Sequence, residues 1–465
     1  MTAPGNDIIC APASGRGGAI SIIRVSGSGC LSLVDSVVSF RKGDAASCPG
    51  FRVKFGVVPE LDEVLVSVFR APNSYTGEDM AEICCHASSY IVASLLESLC
   101  SAGCRMAEPG EFTQRAFVSG KMDLSQAEAV ADLISADSAA SHKLAFSQLR
   151  GAYAQRLREL RAQMMEIAAL LELELDFSEE EVEFADRSKL LGLVKESLAE
   201  CDRLADSFKF GNAFKKGIPV AIVGAVNSGK STLLNALLGE DRALVSDIPG
   251  TTRDTVEELL VLDGVGYRFI DTAGLRETSE VVERMGIERS LQQMDQASVV
   301  IVMLDGTVLV DSLLPVVSAV KARLRDDVRV IWVRSKIDAA GLLSDAVPGT
   351  GSGAFCTRLG IPEVIELSAR TGQGLDELRK AVSRPDAEQL AASGAVLVTN
   401  LRHQEALRQA GEHLRRVISG LIGSTPTDLV AEDLRSALTS LGAIFGEILP
   451  DDILGTIFSR FCIGK

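Results

Sequence analysis

The 465-residue chain has no apolar run approaching the roughly 18 residues that a helix needs to cross a bilayer. Its N-terminus, MTAPGNDIIC, has neither a basic start nor an uninterrupted apolar segment. These absences argue against a membrane span and a secretory leader, and a cytoplasmic address follows by default. Cysteine is present at ten positions (10, 30, 48, 84, 85, 100, 104, 201, 356 and 462), yet none are spaced as CxxC. That argues against a zinc module and, at this chain length, against a disulfide framework; most read as buried thiols. Positive charge is in deficit, with 47 Lys and Arg against 63 Asp and Glu, a formal charge of −16 and a pI of about 4.9. Such a surface repels polyanions, so a nucleic-acid substrate must meet a local basic patch or one built with a partner. No internal repeat is found.

What remains is the composition of a folded chain, 46% apolar and 24% charged. It is too long for one hydrophobic core, and about three domains are expected. Residues 1–120 mix short apolar stretches (Ala19–Val25, Glu63–Phe69, Met80–Cys85) with Gly/Ser turns, the pattern of an α+β domain. From Asp123 the periodicity becomes helical, through Leu124, Ala127, Val130, Ala131 and Ile134 and again over Ala154–Leu175, so residues 121–213 read as helices. Residues 214–384 alternate short apolar strands (IPVAIVG, GYRFIDT, SVVIVML, VRVIWV, EVIELS) with helical stretches, which predicts a parallel sheet covered by helices. Helical texture returns in 385–465, over Asn400–Leu421 and Thr427–Phe445. Either the α/β unit is inserted into one helical domain, or two helical domains flank it; periodicity leaves both open.

Gly224-Ala-Val-Asn227-Ser228-Gly229-Lys230-Ser231 fits GxxxxGK[ST] between an apolar strand and a helical run that begins at Thr232. Glycines let backbone N–H groups wrap phosphates, Lys230 neutralises their charge, and the Ser231 hydroxyl suits Mg²⁺. About 47 residues after Gly224 stands Asp271-Thr272-Ala273-Gly274, where Asp271 can hold a metal-bound water and Gly274 can offer its N–H to the γ-phosphate. Between them, Pro249-Gly250-Thr251-Thr252-Arg253-Asp254 reads as a nucleotide-sensing switch. Ser335-Lys336-Ile337-Asp338 follows the strand VRVIWV, and the Asp338 carboxylate can accept two hydrogen bonds from guanine that adenine cannot supply. The common form of this motif is NKxD. Ser335 in place of Asn removes an amide that braces the P-loop and contacts the base, so lower affinity with retained specificity is expected. Ser368-Ala369-Arg370 matches a last guanine-contacting loop.

Hydrolysis needs an oriented water. The position after Gly274, where Ras-type enzymes carry Gln, is Leu275, so the group must come from elsewhere, with Glu277, Glu280 and Glu283 as candidates. Transition-state charge calls for a cation, and a monovalent ion beside the Asn227 carbonyl can fill that role.

Together with GRGGAISIIRVSG, NSYTGEDMAEI, PGEFTQRAFVSGKMDLSQAEAVADLI and the terminal FCIGK, these motifs resemble the tRNA-modification GTPases called MnmE or TrmE, over the whole chain. The resemblance implies a P-loop (Ras-like) GTPase domain inserted in a helical domain, with an N-terminal α+β domain that dimerises and binds 5-formyltetrahydrofolate or a related one-carbon folate. It implies a homodimer that works with FAD-dependent MnmG (GidA) on C5 of the wobble uridine of certain tRNAs. It also implies that K⁺-dependent pairing of G domains activates hydrolysis. Carried over by motif, Asn227, Ser246, Ile248 and Thr251 surround K⁺, Ser231 and Thr252 bind Mg²⁺, Asp247 joins the nucleotide loop, and Glu283 orients the water. Arg24, Glu82, Lys121 and Lys465 line the folate pocket, Arg24 and Lys121 toward the folate glutamate and Glu82 toward the pterin amine. Cys462 is either a reactive or a buried thiol. The rival class is a regulatory or ribosome-assembly GTPase resembling Era or Der, with no covalent tRNA chemistry; such proteins have no use for the TGED, PGEF and CIGK segments.

Overall fold

The computed structural model describes residues 7–15, 17–176, 187–241, 257–270, 293–339, 352–392, 396–423, 425–447, 451–459, 461 and 464. The chain divides into two compact units. One comprises Met1–Ile134, Gln148–Asp202 and Glu405–Lys465, and the other Ser135–Ser147 with Arg203–Gln404.

In the first unit, seven strands form one sheet: β1 (Ile9–Pro12), β2 (Ile20–Ser26), β3 (Ser39–Phe40), β4 (Arg52–Val58), β5 (Asp62–Phe69), β6 (Met80–His86) and β7 (Arg105–Met106). The order is β3-β4-β5-β6-β2-β1-β7, antiparallel except for the β1–β7 pair. Alternation decides which face is buried. Val64, Val66 and Val68 of β5 and Ala81, Ile83 and Cys85 of β6 point to one side, where Leu33, Val34, Leu95 and Leu99 cover them. The last four lie on the helices Cys30–Val37 and Ser89–Ser101. Each fully buried aliphatic side chain contributes about 1.5–3 kcal/mol, so this face fixes the register of the sheet. The α+β reading of this region holds.

The same unit gathers helices from both ends of the chain, Ala152–Asp176 and Arg187–Asp206 from before the second unit and Leu401–Ile422 and Thr427–Phe445 from after it. Leu157, Leu160, Met164, Ile167 and Leu171 are buried, as are Val430, Leu434, Ala437, Leu441 and Ile444. Both series step alternately by three and four residues, which gives a narrow apolar stripe on each helix. The two helices pack on each other, and Arg161–Glu447 (2.6 Å) and Arg435–Glu172 (3.0 Å) cross between the two parts of the chain. One discontinuous helical domain is therefore present, and the alternative of two separate ones is set aside.

The second unit is built on β8 (Ile218–Gly224), β9 (Glu258–Leu262), β10 (Val265–Phe269), β11 (Val299–Asp305), β12 (Arg329–Ser335) and β13 (Ile365–Glu366), in the order β13-β12-β11-β8-β10-β9. All neighbours are parallel except β9, which pairs antiparallel with β10 at the edge. The sequence reading predicted the five parallel strands and missed β9. Its hairpin turn, Asp263-Gly264, was a legible signal. β8 and β11 are buried on both faces: Val220, Ile222, Ile301 and Met303 enter one core, Ala221, Val223, Val300 and Val302 the other. Ala140 and Leu144 of the helix Ala139–Leu149 belong to the first of these cores, so a segment that reads as helical-domain sequence packs on the sheet of the α/β unit.

Candidate functional site

The P-loop leaves β8 at Gly224 and ends where Lys230 opens the helix Lys230–Asp241. A Cβ on Gly224 would stand 2.6 Å from the Met303 carbonyl oxygen and 2.7 Å from Ser228 Oγ, so only glycine lets β8 run this close to β11. Asn227 (φ 62°) and Gly229 (φ 96°) are both left-handed, which turns successive backbone N–H groups into a concave, anion-accepting nest at a helix N-terminus. Lys230 Nζ donates to the carbonyls of Gly224 (2.9 Å) and Ala225 (2.7 Å) of the same loop. Burial pushes its pKa down to about 8. Ser228 is fully buried, Ser231 and Gly229 are half-buried, and Asn227 and Thr232 are exposed.

The loops of residues 335–338 and 368–370 meet this cradle. Ser335, 2% exposed, donates its hydroxyl to the Ser228 carbonyl at 2.7 Å, with the Leu304 carbonyl at 3.2 Å as a second acceptor. The expected loss of the P-loop brace does not occur: a hydroxyl provides it where an amide was anticipated. Lys336, itself left-handed (φ 57°), is ion-paired with Asp305 at 2.7 Å. Burial tends to raise the Asp305 pKa, but the hydrogen bonds from Lys336 and Thr307 outweigh it and leave the carboxyl below its ordinary value. Asp305 was not singled out from sequence, where a lone Asp at a strand end carries no signal. Ile337 N–H donates to the Leu367 carbonyl (3.4 Å), and Ser368 Oγ donates to Asp338 at 2.7 Å. Arg370 pairs with the other Asp338 oxygen at 2.7 Å, and Ala369 between them is half-buried. The Ser368 hydroxyl, outweighing desolvation and aided by Arg370, holds Asp338 below the usual carboxylate range, so it stays an acceptor at neutral pH.

Ser246, Asp247, Ile248, Pro249, Gly250, Thr251 and Thr252 lie outside the described residues. So do Asp271, Thr272, Ala273, Gly274, Glu283, Cys462 and Lys465.

A second polar cluster occupies the sheet of the first unit. Arg24 and Glu82 face each other across β2 and β6 and form an ion pair at 2.7 Å. Arg24 also donates to the Gly464 carbonyl at 3.1 Å and lies 5.1 Å from the Tyr75 ring and 5.6 Å from the Phe112 ring. Lys121 donates to the Pro72 carbonyl at 2.9 Å, beside Gly77. The TGED and PGEF segments are the frame of this cluster. Glu78 accepts from Ser26 Oγ (2.8 Å) and from Arg115, Glu111 pairs with Arg115, and Tyr75 shares a 2.8 Å hydrogen bond with Thr113. Tyr75 and Phe112 were inside quoted motifs, yet their place beside Arg24 had no sequence signal.

A P-loop at the head of a mostly parallel sheet, joined through Ser335 to the loop that carries the ionised Asp338, is the arrangement of a P-loop GTPase. The sequence matches the profile of the MnmE helical domain over residues 124–462 and that of the GTP-binding protein TrmE N-terminus over residues 8–121. The chain belongs to the MnmE (TrmE) family. The tRNA modification GTPase MnmE of Bacteroides fragilis is 45% identical over 466 residues, covering 99% of each chain. Its counterpart from Porphyromonas gingivalis is 44% identical over 479 residues (99% of this chain, 98% of the relative), and that from Flavobacterium johnsoniae 44% over 473 residues (99% of each). Among the described residues, no helix is long and apolar enough to cross a membrane.

Proposed function

We propose that this GTPase acts in tRNA modification, in the cytoplasm, as a homodimer that works with an FAD-dependent partner of the MnmG (GidA) kind on C5 of the wobble uridine. The observation that carries the GTPase reading is the Ser335–Ser228 hydrogen bond, which joins the phosphate cradle to the loop bearing Asp338. Backbone N–H groups of the nest and Lys230 hold the triphosphate, and Asp338 selects guanine.

The donor set of the P-loop fits hard cations: Asn227 and Ser231 offer oxygen ligands. Ser231 with Thr252 would hold Mg²⁺, and Asn227 with Ser246, Ile248 and Thr251 would hold K⁺. Such cations supply positive charge against the phosphate oxygens. Glu283 orients the attacking water, and Glu283→Ala is expected to abolish turnover while nucleotide binding persists. The Arg24–Glu82 cluster fits the amine-bearing ring of a formylated tetrahydrofolate. Glu82 uses Oε1 for both hydrogen bonds from Arg24, and among the described residues its Oε2 has no partner, leaving it as an acceptor beside a guanidinium that two aromatic rings cover. Lys121 and Lys465 complete this pocket in the proposal, with Cys462 in the adjoining terminal motif.

Mass spectrometry of wobble nucleosides from cells lacking the protein tests the reading. Loss of aminomethyl-type groups at C5 is expected, and an unchanged nucleoside profile would refute it. Hydrolysis in KCl is expected to exceed that in NaCl at least tenfold; equal, negligible rates would instead support a GTP-binding scaffold without turnover.

A further inference from the structure

We infer that Ser335 is a positioning residue that braces the P-loop at the expense of purine recognition, so that this protein reads the guanine edge through Asp338 and leaves N7 unread. The inference rests on the guanine-nucleotide reading of the same site.

The argument is a count of protons. A serine hydroxyl has one proton to donate, whereas the amide that commonly heads this motif has two. Ser335 Oγ has two carbonyl acceptors within reach, Ser228 at 2.7 Å and Leu304 at 3.2 Å. Both are main-chain groups of fixed elements, the P-loop and β11, and Ser335 is itself 2% exposed at the end of β12. Purine N7 is also an acceptor. It would be a third claimant for a proton already engaged at the shorter of two distances, and lone pairs on Oγ offer an acceptor nothing. An asparagine here can satisfy the Ser228 carbonyl with one N–H and turn the other toward the base; serine must choose, and its geometry gives the P-loop the bond.

The surroundings hold that choice in place. The Ser335 carbonyl accepts from Gly306 N–H at 2.9 Å, and a Cβ on Gly306 would stand 2.6 Å from that oxygen, so the β11 and β12 ends are pressed together. The next residue, Lys336, is left-handed and ion-paired with Asp305, the last residue of β11. Rotation of Ser335 toward the base would leave the buried Ser228 carbonyl without this donor in a region that excludes water, which is costly.

Two consequences separate this reading from a merely structural serine. Replacing N7 of the nucleotide by C–H should cost the wild-type protein little, and Ser335→Asn should create a sensitivity to that replacement. Calorimetric titration of the full-length protein with GDP and 7-deaza-GDP measures both. For wild type, the two Kd values are expected to agree within about twofold. For Ser335→Asn, GDP is expected to bind about two- to tenfold more tightly than 7-deaza-GDP, the range of one net hydrogen bond. Ser335→Ala is expected to weaken both nucleotides to a similar degree, raising KM for GTP more than it lowers kcat, and Ser335→Thr, which restores a hydroxyl, is expected to recover most of the loss. A wild-type preference for GDP over 7-deaza-GDP of more than about fivefold would overturn the inference. So would an Ser335→Ala variant that binds both nucleotides like wild type. No binding of either nucleotide by wild type would instead overturn the guanine-nucleotide reading beneath it, so the two failures are distinguishable.

Discussion

The main-chain carbonyl of Gly464 accepts a hydrogen bond from Arg24 at 3.1 Å, although the two residues are 440 positions apart. The contact brings Gly464 to β2, beside Glu82. Gly464 is left-handed (φ 94°), and a Cβ there would collide with the Pro12 carbonyl, so the tail reaches Arg24 only because that position has no side chain. Gly464→Ala is therefore expected to displace the tail and weaken binding of 5-formyltetrahydrofolate about tenfold or more, with KM for GTP unchanged. Titration calorimetry with the folate checks it; unaltered affinity would show that the tail takes no part in the site.

Lys230 titrates in an accessible range. Burial lowers its pKa to about 8, a shift worth roughly 3 kcal/mol against the charged form. The sign follows: the cost of burying the ammonium is fully present below about pH 8 and disappears as pH rises toward the ordinary lysine value, so this group's contribution to stability increases across that window. Phosphates restore the charged form. Nucleotide binding near pH 8.5 is expected to take up a measurable fraction of a proton, and binding at pH 7 almost none. Calorimetry in buffers of different ionisation enthalpy measures the uptake, which should vanish in Lys230→Met.

A buried junction joins β10 to the helix Leu375–Ala392. Tyr267, fully buried, donates its hydroxyl to Asp386 at 2.8 Å, and Arg329 pairs with the same carboxylate oxygen at 2.6 Å. Removing the phenol hydroxyl leaves the ion pair intact, whereas removing the carboxylate takes the charged partner from Arg329 and leaves both donors only main-chain carbonyls, that of Val382 at 3.2 Å from the Tyr267 hydroxyl and 2.7 Å from Arg329. Tyr267→Phe is expected to cost about 1 kcal/mol and Asp386→Ala roughly 2–4 kcal/mol. Denaturant unfolding measures both, and a larger loss for Tyr267→Phe would contradict this assignment.

In the proposed function, base selectivity depends on the Asp338 carboxylate, which Ser368 and Arg370 hold ionised. Asp338→Asn is expected to weaken GTP on the order of tenfold to a hundredfold and to improve XTP, whose 2-oxo group accepts where guanine's amine donates. Competition binding with the two nucleotides measures the exchange; unchanged GTP affinity would remove Asp338 from the base site.

Much of this was legible because single physical rules governed it. β8 and β11 are buried on both faces and read as continuous apolar runs, and the helices around Leu157–Leu171 and Val430–Ile444 read through their apolar spacing. The P-loop and the Asp338 loop were legible as motifs because phosphate and guanine chemistry admit few solutions. β9 was missed, although Asp263-Gly264 marked the turn that follows it. The packing of Ala140 and Leu144 in the α/β core, the Arg24–Glu82 pairing and the box of Tyr75 and Phe112 depend on tertiary contacts between distant segments, to which local periodicity is blind. Ser335 marks the limit most clearly. Sequence showed which amide was lost, and only the 2.7 Å contact with Ser228 showed that its bracing role survives.

The most direct test of the central claim is turnover of GTP and ATP by the purified protein in KCl with Mg²⁺. The account predicts hydrolysis of GTP with a kcat/KM at least a hundredfold above that for ATP. Equal rates for the two nucleotides, or no hydrolysis of GTP at any protein concentration, would contradict it.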